Sequence, residues 1–157
     1  MNIDTPKNPA RVTLDTNILI SAIGFGGKPR EILNLILDKQ IKAVTSSILL
    51  AELEDVITKK FPKLAPSYVR INRQIKKNFK IIKPKISLHV LKDESDNRVL
   101  ETAIEGNCDH IVTGDKQLLK LAKFKNIKIL SAQKFLQELS DVAQTIEAKT
   151  AKSIKAE

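Results

Sequence analysis

The feature of this sequence that most constrains its fold is the alternation of short apolar runs with longer segments of helical periodicity. Five runs have the length and composition of β-strands: ARVTLD (10–15), KAVT (42–45), KIIKP (80–84), DHIVTGD (109–115) and IKILS (127–131). Alternation of strands and helices at this spacing is typical of a mostly parallel sheet with helices on both faces. We therefore predict an α/β fold, a three-layer α/β/α domain with about five strands.

The segments between these runs carry apolar residues three or four positions apart, as amphipathic helices do. Helices are predicted for residues 17–23, 29–40, 46–61, 65–79, 95–107, 116–124 and 132–139. Ser46 and Ser47 are candidates for the N-cap of the third helix, and Gly106–Asn107 mark the end of the fifth. In the fourth helix we expect Val69, Ile71 and Ile75 to face inward, with the basic residues outward.

The two ends of the chain differ in composition from its middle. Residues 1–10 contain Pro6 and Pro9 and are predicted to be a flexible lead. Residues 140–157 are rich in Ala and Lys with few large apolar side chains, which predicts a flexible tail or a frayed helix. With no internal repeat and no Pro/Gly/Ser linker between them, residues 11–139 are expected to form one domain.

Composition favours a soluble protein of the reducing cytoplasm. No apolar run approaches the roughly 18 residues that a membrane helix needs, and the first residues lack the apolar core of a secretory signal. The single cysteine, Cys108, cannot form an internal disulfide and is predicted to be a small buried residue.

The positive charge of the chain is concentrated in one segment. The net charge is +9, yet residues 59–85 alone carry ten Lys or Arg and no acid. One hypothesis is that Lys59, Lys60, Arg70, Arg73, Lys76 and Lys77 contact an RNA backbone. Tyr68 would then stack on a base. Alternatives are a solvated lysine-rich face or a surface for an acidic protein partner.

Four acids are placed so that they could meet at one edge of the predicted sheet. Asp15 directly follows the first strand, and Asp115 follows the fourth after a short turn. Glu52 and Asp96 lie near the starts of two helices. Ligands of open parallel sheets bind at the carboxyl ends of the strands. Carboxylates held close together need a shared proton or a cation, and an all-oxygen set suits Mg²⁺ or Mn²⁺.

Each acid also has an ordinary structural interpretation. Asp15 could cap a helix, and Asp115 could stabilise a turn. Asp96 could interact favourably with the dipole at the N-terminus of its helix. Glu52 could be a solvated surface residue. Only the set, in its order along the chain, favours a shared metal site.

The motifs that carry these acids resemble those of the PIN-domain family. LDTNILISA, SSILLAEL, SDNRVLETA and HIVTGDKQLL are similar in order and separation to the four acidic motifs of that family, and the resemblance spans residues 11 to 138. GFGGKPREIL is similar to a subgroup related to the VapC-type toxins of toxin–antitoxin systems.

The resemblance implies an Mg²⁺- or Mn²⁺-dependent endoribonuclease. Asp15, Glu52, Asp96 and Asp115 would be the metal-binding and catalytic acids, while Asn17 and Thr113 would orient them. Related sequences often have an acid where this chain has Ser95, so an auxiliary acid is absent or displaced to Asp93 or Glu94. An RNA substrate, an antitoxin and a homodimer are the partners implied, and no membrane.

Other chemistries find less support in the sequence. His89 and His110 are not predicted ligands, the GFGG run lacks the lysine and helix of a phosphate loop, and no Ser/His/Asp pattern is present. The alternatives that remain open are a non-catalytic RNA- or protein-binding module, a nuclease of housekeeping RNA processing, and a nuclease acting on DNA or flaps.

Overall fold

A computed structural model describes residues 8–156 of the 157-residue chain. The strands are β1 (Arg11–Leu14), β2 (Lys42–Ser46), β3 (Lys80–Ile82), β4 (His110–Val112), β5 (Lys123–Phe124) and β6 (Ile127–Leu130). The helices are α1 (Thr16–Gly24), α2 (Gly27–Leu37), α3 (Ser47–Lys60), α4 (Ala65–Asn78), α5 (Glu94–Glu105), α6 (Lys116–Leu121) and α7 (Ala132–Ala156), with a short 3₁₀ helix at Pro62–Leu64.

The strands form one sheet in the order β3-β2-β1-β4-β6-β5. All neighbouring pairs are parallel except β5–β6. The predicted α/β class and mostly parallel sheet are therefore confirmed. The sixth strand, β5, was not predicted: its two residues were assigned to a helix over 116–124. That helix ends at Leu121 because Ala122 adopts a left-handed backbone with φ 58°.

Apolar side chains of the sheet alternate between two cores, one on each face. Val12, Leu14 and Val112 pack with residues of α1, α2, α4 and α7. Val44 and Ile111 point the other way and pack with α5 and α6. This alternation follows from the two-residue period of a strand. It gives the predicted three layers.

Two of the predicted helix boundaries are set by local chemistry. The hydroxyl of Ser46 accepts a hydrogen bond from Leu49 N at 3.3 Å and so caps α3, while α5 ends before Gly106. Gly106 also lies against the sheet: a Cβ there would come within 2.6 Å of Val44 Cγ1. A side chain at this position would push α5 away from β2.

Helix α4 buries two of the three residues predicted to face inward, Ile71 and Ile75, but not Val69. Tyr68, Ile71 and Ile75 are buried, whereas Val69 is 54% exposed. The expectation that Val69 points inward is wrong because the large Tyr68 ring takes that place. The hypothesis that Tyr68 stacks on a base is wrong for the same reason, since the ring is only 8% exposed.

The segment between β3 and α5, residues 83–93, is hydrogen-bonded along one side of α5. We call it the latch segment. Glu105 Oε1 accepts hydrogen bonds from the backbone N–H groups of residues 85 and 86, and Glu101 Oε2 accepts one from residue 88. Asn97 Oδ1 accepts from residues 90 and 91, and its Nδ2 donates to the carbonyl of residue 91. These side chains therefore pair with backbone groups of the latch segment that a neighbouring strand would pair with in a regular sheet.

Helix α7 continues well beyond the predicted end of the domain. Residues 140–154, part of the predicted tail, are helical and exposed. Seven of the ten residues of the predicted flexible lead fall outside the described part of the chain. Over residues 8–156, no helix combines the length and apolar character needed to cross a membrane.

Candidate active site

Asp15 and Asp115 are joined at the carboxyl edge of the sheet through one threonine. The backbone N–H of Asp15 donates to Val112 O at 2.9 Å, which holds the ends of β1 and β4 side by side. Thr113 Oγ1 donates to Asp15 Oδ2 at 2.7 Å and accepts from the N–H of Asp115 at 3.0 Å. Thr113 itself is fully buried. Its hydroxyl therefore links two of the four predicted acids.

Asp15 lies at the N-cap position of α1, but its side chain makes no capping hydrogen bond. The carboxylate is 7% exposed and faces the other acids. Burial raises the pKa of Asp15, the hydrogen bond from Thr113 lowers it, and the charge of Asp115 raises it further. The capping interpretation of this residue is thus excluded.

Asp96 has the most perturbed environment of the four acids. It lies in the first turn of α5, is 4% exposed, and its Oδ2 has no hydrogen-bond partner among the described residues. Burial, followed by the charges of Asp115, Asp93 and Asp15 and a hydrogen bond with Asp115, raises the pKa of Asp96 to about 7. Near neutral pH this carboxyl is therefore divided between its charged and neutral forms.

Glu52 reaches the same region from α3 and is half-buried. Burial raises its pKa, the Ser95 side chain lowers it, and the charges of Asp15 and Asp93 raise it. Ser95, the residue before Asp96, is thus a neighbour of Glu52.

Asp115 has a second function as the N-cap of α6. Its Oδ1 accepts hydrogen bonds from Gln117 N at 2.9 Å and Leu118 N at 3.1 Å. The structural interpretation of this acid therefore holds alongside its place in the cluster.

A fifth acid, Asp93, also faces the cluster. Its charge raises the pKa values of Asp15, Glu52 and Asp96, while its Oδ1 accepts the N–H of Ser95 at the N-cap of α5. The sequence KDESDN contains this acid, yet only the bend of the chain at the helix start determines which acid of the run turns toward Asp96.

The remaining predicted residues lie outside this cluster. Asn17 is exposed on α1, and its side chain makes no hydrogen bond to the four acids in the described structure. The six basic residues of the RNA hypothesis are exposed on α3 and α4, where Lys59 forms an ion pair with Asp55 at 3.0 Å. His110 lies at the start of β4, at the opposite sheet edge, 3.6 Å from Glu138. Cys108 is buried, as expected.

The acids are close enough to interact but do not form a finished coordination site. Among residues 8–156, no three His, Cys, Asp or Glu side chains are arranged to hold one metal ion as they stand. Their chemistry nevertheless fits Mg²⁺ or Mn²⁺, because every donor is a carboxylate oxygen and Asp96 keeps one buried oxygen unpaired. Burial, and after it mutual repulsion, raises the pKa values of three of these acids, and a cation would remove that repulsion.

Comparison with known proteins identifies the family. Residues 11–117 match the PIN domain. The chain belongs to the PIN-domain family. All four predicted acids, and Thr113, fall within the matched part of this PIN domain, whose family membership supports a nuclease activity.

The chain is similar in sequence to one curated protein and in fold to solved structures. An uncharacterized protein of Methanocaldococcus jannaschii is 34% identical over 147 residues, which cover 84% of this chain and 93% of that protein. The crystal structure of VapBC2 from Rickettsia felis, bound to a DNA fragment from their promoter, superposes with a TM-score of 0.55 at 21% identity. That match covers 76% of this chain and 96% of the other, and it shows a shared fold.

Proposed function

We propose that this PIN domain is a metal-dependent endoribonuclease that hydrolyses phosphodiester bonds of RNA, with Asp15, Glu52, Asp96 and Asp115 as its catalytic and metal-binding acids. The observation that carries the proposal is the convergence of these acids at the carboxyl edge of the sheet. Burial and mutual charge raise the pKa values of three of them. Strongly perturbed acids gathered at one edge are characteristic of catalytic sites.

A divalent cation at this edge, Mg²⁺ or Mn²⁺, would supply water activation and charge stabilisation at the phosphate. Asp15 and Asp96 are the buried members and would hold it from the floor of the site. Glu52 and Asp115 are half-buried and would approach by side-chain rotation, once the cation removes the repulsion between the acids. Thr113 would fix Asp15, because its hydroxyl bonds Oδ2 at 2.7 Å.

The central experiment measures cleavage of labelled single-stranded RNA by the purified protein as Mn²⁺ or Mg²⁺ is titrated. We expect cleavage that depends on the metal, and we expect Asp15→Asn to reduce the rate by a factor of at least ~100, as loss of a group that stabilises transition-state charge does. Calorimetric titration of Mn²⁺ should show uptake by the wild-type chain that Asp15→Asn abolishes.

The matched control is Asp141→Asn, which removes the same charge from the exposed part of α7. It should leave both cleavage and Mn²⁺ uptake unchanged. Full cleavage by the Asp15→Asn protein would contradict the assignment. RNA binding without cleavage or metal uptake would support a non-catalytic binding module instead, and preference for duplex DNA or flaps would contradict RNA as the substrate.

We further propose that the protein acts in the cytoplasm as the toxin of a toxin–antitoxin pair, restrained by an antitoxin, and works as a homodimer. The support is the similarity of its motifs to those of VapC-type toxins and a fold shared with the VapBC2 structure. Expression in a bacterial host should arrest growth, and the Asp15→Asn chain should not. Growth unaffected by an active, well-expressed nuclease would favour housekeeping RNA processing. Light scattering of the purified protein tests the dimer.

A further inference from the structure

A cleft at the other end of the sheet carries an unusual set of cations. It has a volume of about 340 Å³, and Arg11, Lys39, Lys42 and Lys80 line it together with Asn78. No acid lines it. Strands β1, β2 and β3 begin at this cleft. It therefore lies at the amino edge of the sheet, opposite the carboxyl edge that carries the four acids.

Strand register places three of the cations on one face. Arg11 on β1 is the direct partner of Lys42 on β2. Lys80 on β3 is the partner of Val44, which lies two residues beyond Lys42 and on the same face. Neighbouring strands are about 4.8 Å apart, so the three cations span roughly 10 Å across the sheet.

These cations are not neutralised within the described part of the chain. None of the four takes part in an ion pair between residues 8 and 154. Arg11 Nη1 donates to Gly106 O at 3.2 Å, which holds the guanidinium in place, and Lys39 Nζ approaches Asn78 Oδ1 at 3.5 Å. The nearby acid Asp109 accepts the backbone N–H of Arg11 through Oδ2 and does not line the cleft.

We propose that this cleft binds the phosphodiester backbone of the RNA substrate at a position remote from the cleavage site. The inference rests on the proposed ribonuclease function and adds a second contact to it. A row of point charges on successive strands fits a chain of phosphates better than one isolated anion. Lys39 follows the end of α2, where a lysine can simply offset the helix dipole, but Arg11, Lys42 and Lys80 lie on strands.

The distance between the two sites fixes which RNA can reach both. β1 separates Arg11 from Asp15 by four residues, or about 13 Å at the rise of a strand. Helices cover both faces of the sheet, so an RNA that reaches both sites must pass around the domain by a path longer than this direct separation. A short oligonucleotide held at the acids therefore leaves the cleft empty, whereas a longer one reaches it. The cleft contributes to the affinity of long RNA and not to the cleavage of short RNA.

The test compares a labelled tetranucleotide with a labelled dodecanucleotide of single-stranded RNA. Binding is measured by fluorescence anisotropy without divalent metal, over a range of salt concentrations. The variant Lys42→Ala/Lys80→Ala changes two exposed side chains. We expect its affinity for the dodecanucleotide to fall about 20-fold near ~0.1 M salt and the salt slope to shrink by about 1.4, the effect of two lost contacts.

The control variant, Lys149→Ala/Lys152→Ala, removes the same charge from the exposed end of α7 and should bind like the wild type. With Mn²⁺ present, the cleft variant should still cleave the tetranucleotide at the wild-type rate. An equal loss of affinity in both variants would overturn the proposal, as would stronger displacement of the dodecanucleotide by polyglutamate than by unlabelled RNA. If the wild type binds long RNA through the cleft but cleaves no RNA, the proposed ribonuclease activity is wrong, whereas the proposal that the cleft binds RNA is retained.

Discussion

At the scale of single residues, the raised pKa of Asp96 makes the stability of the metal-free protein depend on pH. Its pKa rises from 3.8 to about 7 in the folded chain, mainly through burial. Between these values the folded state keeps a proton that the unfolded state has released, so stability is greatest below about pH 4 and falls until about pH 7.

We expect Asp96→Asn to raise the free energy of unfolding, measured in chelator, by up to roughly 4 kcal/mol above neutral pH. At about pH 3 or below the two proteins should be similarly stable, because the wild-type carboxyl is then mostly neutral in both states. Denaturant unfolding across this pH range checks the prediction. Parallel pH profiles for the two proteins would show that Asp96 is not the group that loses its proton.

Thr113 is the second residue whose contribution can be isolated. Its hydroxyl donates to Asp15 Oδ2 and accepts the N–H of Asp115, and it is inaccessible to water. We expect Thr113→Val to destabilise the fold by about 1–3 kcal/mol, because it leaves a buried carboxylate without its donor. Thr145→Val on the exposed part of α7 is the control and should change the unfolding free energy by less than about 0.5 kcal/mol. Equal effects would contradict the argument.

The residue scale also shows where sequence reasoning stops. The placement of Asp15 and Asp115 could be predicted because strand ends meet at one edge of a parallel sheet. The role of Asp93 could not, because periodicity does not reveal which acid of a KDESDN run bends toward its neighbours. The burial of the Asn97 and Glu101 side chains could not be predicted either, because their hydrogen-bond partners are backbone groups of the latch segment.

At the scale of elements, α4 is the helix in which the structure corrects one of the three predicted core residues. We expect Ile75→Ala to cost about 2–5 kcal/mol, because Ile75 is fully buried. Val69→Ala should change stability by less than about 0.5 kcal/mol, because that side chain is mostly exposed. Urea unfolding of both variants is the measurement. A cost at Val69 similar to that at Ile75 would show that Val69 faces the core as predicted.

The elements that were predicted and those that were missed differ in what stabilises them. Five strands and the helices between them could be predicted from apolar periodicity. Each of these elements buries one face, so its apolar residues recur at the period of a strand or a helix. β5 is only two residues long and owes its existence to pairing with β6 and to the left-handed turn at Ala122. In α4 the prediction for Val69 failed because Tyr68, whose ring is amphipathic, can be buried as easily as Val69.

At the scale of the whole molecule, α7 divides into a part that packs and a part that does not. Phe135 is fully buried, while residues 140–154 are exposed. Truncation after Ala148 should therefore change the unfolding free energy by less than about 0.5 kcal/mol, whereas Phe135→Ala should cost about 3–5 kcal/mol. Thermal and urea unfolding at several protein concentrations provide the comparison. A loss above about 1 kcal/mol on truncation would show that these turns have a partner in solution.

The position of β4 beside β1 has a consequence for how the protein is made. The hydrogen bond from Thr113 to Asp15 joins residues 98 positions apart, whereas the latch segment is tied to α5 across 6 to 20 positions. Contacts that are local in sequence form early, and those between distant residues form late. A growing chain can therefore fold its latch segment before its carboxylate cluster. Until β4 has been synthesised and inserted beside β1, Asp15 has no Thr113 to hold it, so the site is assembled only after the chain has been made as far as β4.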